Sequence, residues 1–268
     1  VAVAIIDGDV VAYQACRSRF ESFEEKPIQL DENGRHARIH FTKEEDRRYL
    51  EESWAHFKVD LEVIREKLFC DESLVAVKGM NNFRNLLYPE YKIHRHRDPQ
   101  FRNEFVPIMR ELAVAEELAV PADGCEADDL IRIWAEQCRR EDVEYVVCSI
   151  DKDLRCIPGL HFYIKRDKER LDEVTEREAM QLYYAQLLKG DGIDNIPGIP
   201  GVGLVKAARH LAECENETDF QEAVLAMYVD FYDDAWRENL LFTGRMIHLM
   251  RWPGDYFDLS SWPGARDM

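Results

Sequence analysis

Acidic residues in this chain fall into four tight groups. They are Asp7 and Asp9 in IIDGD, Glu126, Asp128 and Asp129 in GCEADD, Asp151 and Asp153 in SIDKD, and Asp191 and Asp194 in GDGIDNIPG. Two like charges about 4 Å apart repel by roughly 4 kcal/mol at an effective dielectric of 20. Four such groups, once gathered, must take up protons or cations. An all-oxygen donor set favours a hard cation, Mg²⁺ or Mn²⁺. Each group has a plainer explanation by itself: a turn after a strand, a charged helix start, or a Pro/Gly turn organised by side-chain bonds. Three carboxylates at one helix start exceed what capping needs. All four groups at element ends together point to a metal site.

The elements that must position them can be read from apolar spacing. AVAII, residues 2–6, is a short all-apolar run that predicts a buried strand ending at Asp7. Leu50, Trp54, Phe57, Leu61, Ile64 and Leu68 recur at alternating spacings of four and three, which predicts a helix from about Lys43 to Phe69. Residues 74–77, 145–150 and 161–164 predict further strands, the second of them ending at Asp151. A helical pattern runs through Phe101, Phe105, Ile108, Met109 and Leu112, and another helix starts near Glu126. Thr175 with Glu178 is a capping box that opens a helix to about Leu188, and Thr218 with Gln221 predicts a second start. Residues 19–45 read as a polar insertion, and the aromatic tail with Trp252, Tyr256, Phe257 and Trp262 should pack back on the body. Strands alternating with helices imply an α/β fold, a mostly parallel central sheet with helices on both faces. A helical subdomain follows it. Such sheets bind ligands beyond the carboxyl ends of their strands. Asp7 and Asp151 would therefore share one edge, and a helix N-terminus could bring Glu126, Asp128 and Asp129 there too.

Two other segments suggest a polyanionic partner. Glycines 198, 201 and 203 lie in a turn between helices, where backbone could approach a phosphate or a cation. Arg84, Lys92, Arg95, Arg97 and Arg102 form the densest basic run, interleaved with Tyr88, Tyr91 and Phe101. A solvated loop would also explain that run. The chain has 268 residues and a net charge of −18, which taken alone argues against nucleic acid unless positive charge is concentrated locally. Seven cysteines without a CxxC pair read as reduced thiols in a cytoplasm. No apolar run is long enough to span a bilayer, and no signal peptide is visible, so no membrane partner is expected.

IIDGD, NFRNLLYPEYKIHR, EADD, SIDKDL and KGDGIDNIPGIPGVG occur in this order, and RMIHLMRW follows near the C-terminus. Together they resemble the 5′-nuclease family of flap endonucleases and 5′–3′ exonucleases, most of all the short phage-encoded exonucleases. The resemblance implies a PIN-like core over residues 1–174 with a helical arch at about 80–118. Residues 175–268 would be a helical subdomain with a helix–turn–helix hairpin and the tail. It implies metal-dependent hydrolysis of DNA phosphodiesters from a 5′ end or at a flap during phage replication or degradation. RNA–DNA hybrids are a further candidate substrate, and the chain would work as a monomer in a host cytoplasm.

By the same resemblance Asp7, Glu126, Asp128, Asp151 and Asp153 hold two Mg²⁺ or Mn²⁺ ions, with Asp129, Asp191 and Asp194 near the second ion or its waters. Lys92 and Arg95 would meet the scissile phosphate. Arg84, Tyr91, Gly198, Gly201, Gly203 and Lys206 would contact DNA, with a monovalent cation, usually potassium, at the hairpin. Two departures stand out. Gly79 replaces an Asp common in relatives, which leaves one metal contact absent or supplied by Asp9, and Val205 stands where relatives often have Lys, a role that falls to Lys206. Two rival readings are a haloacid-dehalogenase-type phosphatase using Asp7 and Asp9, and a noncatalytic DNA-junction binder.

Overall fold

The computed structural model describes residues 1–22, 43–96, 105–165 and 168–265; the side chains of 17–22, 43, 45, 46, 95 and 96 also lie outside that description. Residues 23–42 of the expected insertion at 19–45 therefore fall outside it, while its ends, 19–22 and 43–45, are helical; Arg97, Phe101, Arg102 and the side chain of Arg95 also fall outside.

The sheet is built on β1 (Ala2–Asp7). It pairs in parallel with β2 (Glu72–Lys78) on one side and β4 (Glu144–Ser149) on the other. With β3 (Val120–Ala122), β5 (Gly159–Tyr163) and β6 (Arg170–Val174) the order is β3-β2-β1-β4-β5-β6. Within this six-stranded sheet only the β5–β6 pair is antiparallel. The fold is thus the mostly parallel α/β sheet that the apolar runs imply. β3, with three residues, is too short to announce itself in the sequence, and β6, Arg-Leu-Asp-Glu-Val, is too polar.

Alternation along β1 sorts the two faces. Ala4 and Ile6 pack with Val75, Val77 and Cys148 against three helices: α1 (Gly8–Ser22), α2 (Lys43–Lys67) and α4 (Phe105–Ala115). α2 supplies Phe57, Leu61 and Ile64, which form the stripe expected from its spacing. Val3 and Ile5 face α5 (Ala127–Arg140) through Ile131 and Ala135. Burial of each Val, Leu, Ile or Phe among them contributes roughly 1.5–3 kcal/mol. α4 buries Val106, Met109 and Ala113 in the first of these cores. That part of the expected arch is consequently a layer of the core. α3 (Phe83–Leu87) is a short helix between β2 and α4.

A second apolar core joins α6 (Glu176–Lys189), α7 (Leu204–His210), α8 (Glu217–Tyr232) and α9 (Trp236–Ile247). Thr175 and Glu178 cap α6 reciprocally. The cap of α8 is Asn216 with Asp219 rather than Thr218 with Gln221, because Asn216 Oδ1 is the atom that reaches an open amide of the first turn. β7 (Gly190–Asp191) and β8 (Ile196–Pro197) make a two-strand hairpin ahead of α7. In the tail, Phe257 and Trp262 are buried in this core, while Trp252 and Tyr256 stay exposed. No described helix is long and apolar enough to cross a membrane.

Candidate active site

β1 and β4 are neighbours in parallel register, with Ile6 opposite Cys148, so their carboxyl ends fall together. Asp7 ends β1 and is buried. Ser149, the last residue of β4, donates its Oγ to Asp7 Oδ2 at 2.8 Å and accepts the Asp151 amide at 3.0 Å. One hydroxyl thus ties two of the acidic groups together. Asp151 Oδ1 accepts the Asp153 amide at 2.8 Å, and Gln186 of α6 donates to Asp153 Oδ1 at 2.8 Å. α5 opens just above the same edge and brings Glu126 and Asp128.

Proton affinities record the crowding. Burial pushes the Asp7 carboxyl up to about 6 against the Ser149 bond that favours its anion, and Asp9 and Asp151 add to the rise. Asp128 is pushed well up by burial, then by Asp7, Asp151 and Glu126, with Lys92 opposing. Asp153 is raised by burial and by Asp151 and Asp191. Asp151 thus belongs to two acidic neighbourhoods, Asp7–Glu126–Asp128 and Asp153–Asp191. Burial also acts on Glu126, but Lys92 and Arg84 outweigh it and hold this carboxyl below its ordinary value. Lys92 Nζ pairs with Glu126 Oε1 and lies 3.7 Å from Asp194 Oδ2. Tyr91 donates its hydroxyl to Glu126 Oε2 at 2.8 Å.

The donor set fits a hard divalent cation: oxygen anions, more of them than the nearby ammonium can balance. Among the described residues no three of the donors stand close enough to form a closed shell. The gathering is therefore one of charge and position, with the side chains still spaced apart. Asp7, Glu126, Asp128 and Asp151 are the residues that would hold one ion, and Asp153 and Asp191 another.

Several expected site residues have other work. Asp129 is fully buried and receives Arg84 in a two-pronged bond, Nη1–Oδ2 2.6 Å and Nη2–Oδ1 3.0 Å. It also accepts the Glu126 and Met250 amides at 2.9 and 3.1 Å. With four donors its oxygens are saturated, so it anchors α5 and has no capacity left for an ion. Arg84, expected on DNA, is only 1% exposed and adds bonds to the Met246 and His248 carbonyls. Tyr91, also expected on DNA, is buried on Glu126. The basic run from 84 thus directs Arg84 and Lys92 inward, where they compensate buried carboxylates that would be costly to leave unpaired.

Asp9 is within electrostatic reach of Asp7, yet its Oδ1 is held by Arg110 Nε at 2.6 Å and the Lys78 amide at 3.2 Å. It is engaged through Oδ1 in an ion pair with Arg110. A Cβ at Gly79 would lie 2.5 Å from the Ala122 carbonyl carbon, so the close approach of β2 and β3 excludes a side chain there.

At the hairpin, Gly198 lies against its own chain, where a Cβ would stand 2.1 Å from the Lys189 carbonyl carbon. Gly201, Gly203 and Lys206 are exposed, with open space where a Cβ would stand at both glycines. Ser149, Gln186 and Arg110 were not foreseen as site residues. The one available signal was Ser149, which stands two residues ahead of an acid in SIDKD.

The sequence profile described as "5'-3' exonuclease, N-terminal resolvase-like domain" matches residues 36–184, more than half of the chain. The chain belongs to that family of 5′–3′ exonuclease domains. Among curated proteins it is similar to DNA polymerase I of Bacillus caldotenax, 29% identical over 80% of this chain and 24% of that protein. It is also similar to DNA polymerase I of Rhizobium leguminosarum, 34% identical over 49% of this chain and 14% of that protein. The chain thus spans about a quarter or less of the length of these polymerases. Its fold is that of the bacteriophage T5 flap endonuclease solved with DNA and metal ions, at a TM-score of 0.59 and 17% identity over 92% of this chain and 89% of that one. The T5 5′-exonuclease with bound divalent zinc matches at 0.59 and 15% identity over 91% and 89%.

Proposed function

We propose that the chain is a divalent-metal-dependent nuclease that hydrolyses DNA phosphodiesters from a 5′ end or at a flap junction. The observation that carries this is the meeting of Asp7, Glu126, Asp128 and Asp151 at one sheet edge with the Lys92 ammonium among them. Mg²⁺ or Mn²⁺ bound there would lower the pKa of attacking water and offset charge on the phosphate. Asp7, Glu126, Asp128 and Asp151, with Asp153 and Asp191, would supply the oxygen donors. Ser149, Tyr91 and Gln186 fix the orientation of those carboxylates, the usual task of groups behind a metal ligand. Lys92 would balance negative charge building on the phosphate, and Arg95 would assist it. Exposed Gly201, Gly203 and Lys206 would meet the duplex backbone, with potassium at that turn. The enzyme would act as a monomer in a cytoplasm, a host's if phage-encoded, and hybrids of RNA and DNA are included among its candidate substrates.

Digestion of 5′-labelled duplex, flap and hybrid substrates with and without Mg²⁺ or Mn²⁺ tests the reading. Cutting should require the metal, fall by at least about 10²-fold in Asp151→Ala and in Lys92→Ala, and leave DNA affinity in place. Protein that binds flaps but never cuts them with either metal would be a junction binder instead.

A further inference from the structure

Lys92 is carried by a stretch that neither helix nor strand holds. Residues 89–92 form a turn, and Lys92 sits at φ 56°, a left-handed conformation that strains a residue other than glycine. Tyr91 and Lys92 are adjacent in sequence, yet both side chains end on the Glu126 carboxylate.

The restraint comes from one short run of the loop after α6. The Lys92 amide donates to the Asp194 carbonyl at 2.9 Å. Asn195 Nδ2 donates to the Tyr88 hydroxyl at 3.0 Å and to the Glu90 carbonyl at 3.0 Å. Ile196 packs with Tyr91 and Met246, and Tyr88 and Phe242 border this small apolar cluster. Asn195 is itself left-handed at φ 60°, a conformation Asn tolerates better than most residues. Its carboxamide therefore bonds to two points of the chain just before Lys92 and to none of the acids that Lys92 meets.

We propose that Asn195 is the positioning residue for Lys92. Its amide pins the 88–92 turn so that the ammonium is presented at the Glu126–Asp194 end of the acidic group, where a scissile phosphate would lie. The inference rests on the reading of Lys92 as the group that balances charge on that phosphate. Two variants probe it with the backbone preserved. Asn195→Gly keeps the left-handed turn and removes both bonds. Asn195→Asp keeps the shape but sets an acceptor against the Glu90 carbonyl.

The experiment is a double-mutant cycle in single-turnover cleavage of a 5′-flap substrate with Mg²⁺, with DNA affinity measured in EDTA and thermal melting as a control on folding. Each Asn195 variant should lose about tenfold in rate, with affinity within about twofold and melting close to the parent. In a Lys92→Ala background, Asn195→Gly should change the rate by less than about twofold, because nothing remains to be positioned. Losses that multiply in the double variant, an unchanged rate in the single variants, or affinity falling in step with rate would each overturn the assignment. Parent-like cutting by Lys92→Ala would instead remove the role given to Lys92, a distinct failure that takes this inference with it. If Asn195→Gly does not fold, Asn195→Asp completes the same cycle.

Discussion

At the scale of single residues, the acids divide by what surrounds them. Asp7, Asp128 and Asp153 are raised by burial and by neighbouring carboxylates, Asp151 among them in each case. Asp129 lies one residue from Asp128 and is neutralised by Arg84 at 2.6 and 3.0 Å. The helical turn that points Asp128 to the sheet edge points Asp129 into the interior, and EADD does not say which is which. Arg84→Met should expose the cost of that interior pair. It would leave a buried carboxylate without its partner, so unfolding in urea should show a loss of about 3–5 kcal/mol. Adding Asp129→Asn should recover part of that loss, since the stranded charge is removed. If Arg84→Met alone is neutral, the pair does not anchor α5.

Among the elements, the hairpin ahead of α7 separates two uses of glycine. Gly198 touches the Lys189–Gly190 backbone, which cannot give way, whereas Gly203 has open space and an ordinary φ of −91°. Gly198→Ala should therefore destabilise the helical part by about 2 kcal/mol or more, a cost of overpacking. Gly203→Ala, which only weakens the N-cap of α7, should cost no more than about 1 kcal/mol. If the turn meets a phosphate backbone closely, Gly203→Ala should still weaken DNA binding, and unchanged affinity would remove Gly203 from the interface. IPGIPGVG marks a tight turn in the sequence, but which glycine packs and which is presented depends on where the β7–β8 pairing places the backbone.

For the molecule as a whole, a net charge of −18 would have to coexist with the DNA substrate proposed above. Arg84, Lys92 and Arg110 are all committed to carboxylates of the chain itself. These three side chains are thus not free to release counterions, so DNA affinity should fall only gently with salt. A plot of log affinity against log salt is expected to be shallower than about −4. A steep slope would mean that many more phosphates are gripped, with residues outside the described segments among the obvious sources. The acidic remainder would repel DNA arriving in other orientations.

Local chemistry was enough to announce the strands around Asp7 and Asp151, the striped helix α2, the Thr175 cap and the four acidic groups, because apolar period and turn chemistry act over a few residues. The parallel sheet followed from their alternation. Partner choice was settled only by packing. Arg84 turned inward to Asp129, Tyr91 to Glu126 and Asp9 to Arg110 because each pair joins segments tens of residues apart, and a buried charge takes whatever opposite group the fold brings within reach. β3 and β6 owe their existence to the edges they extend, and Asn195 owes its contact with the Lys92 turn to two loops far apart in sequence that only the tertiary structure brings together.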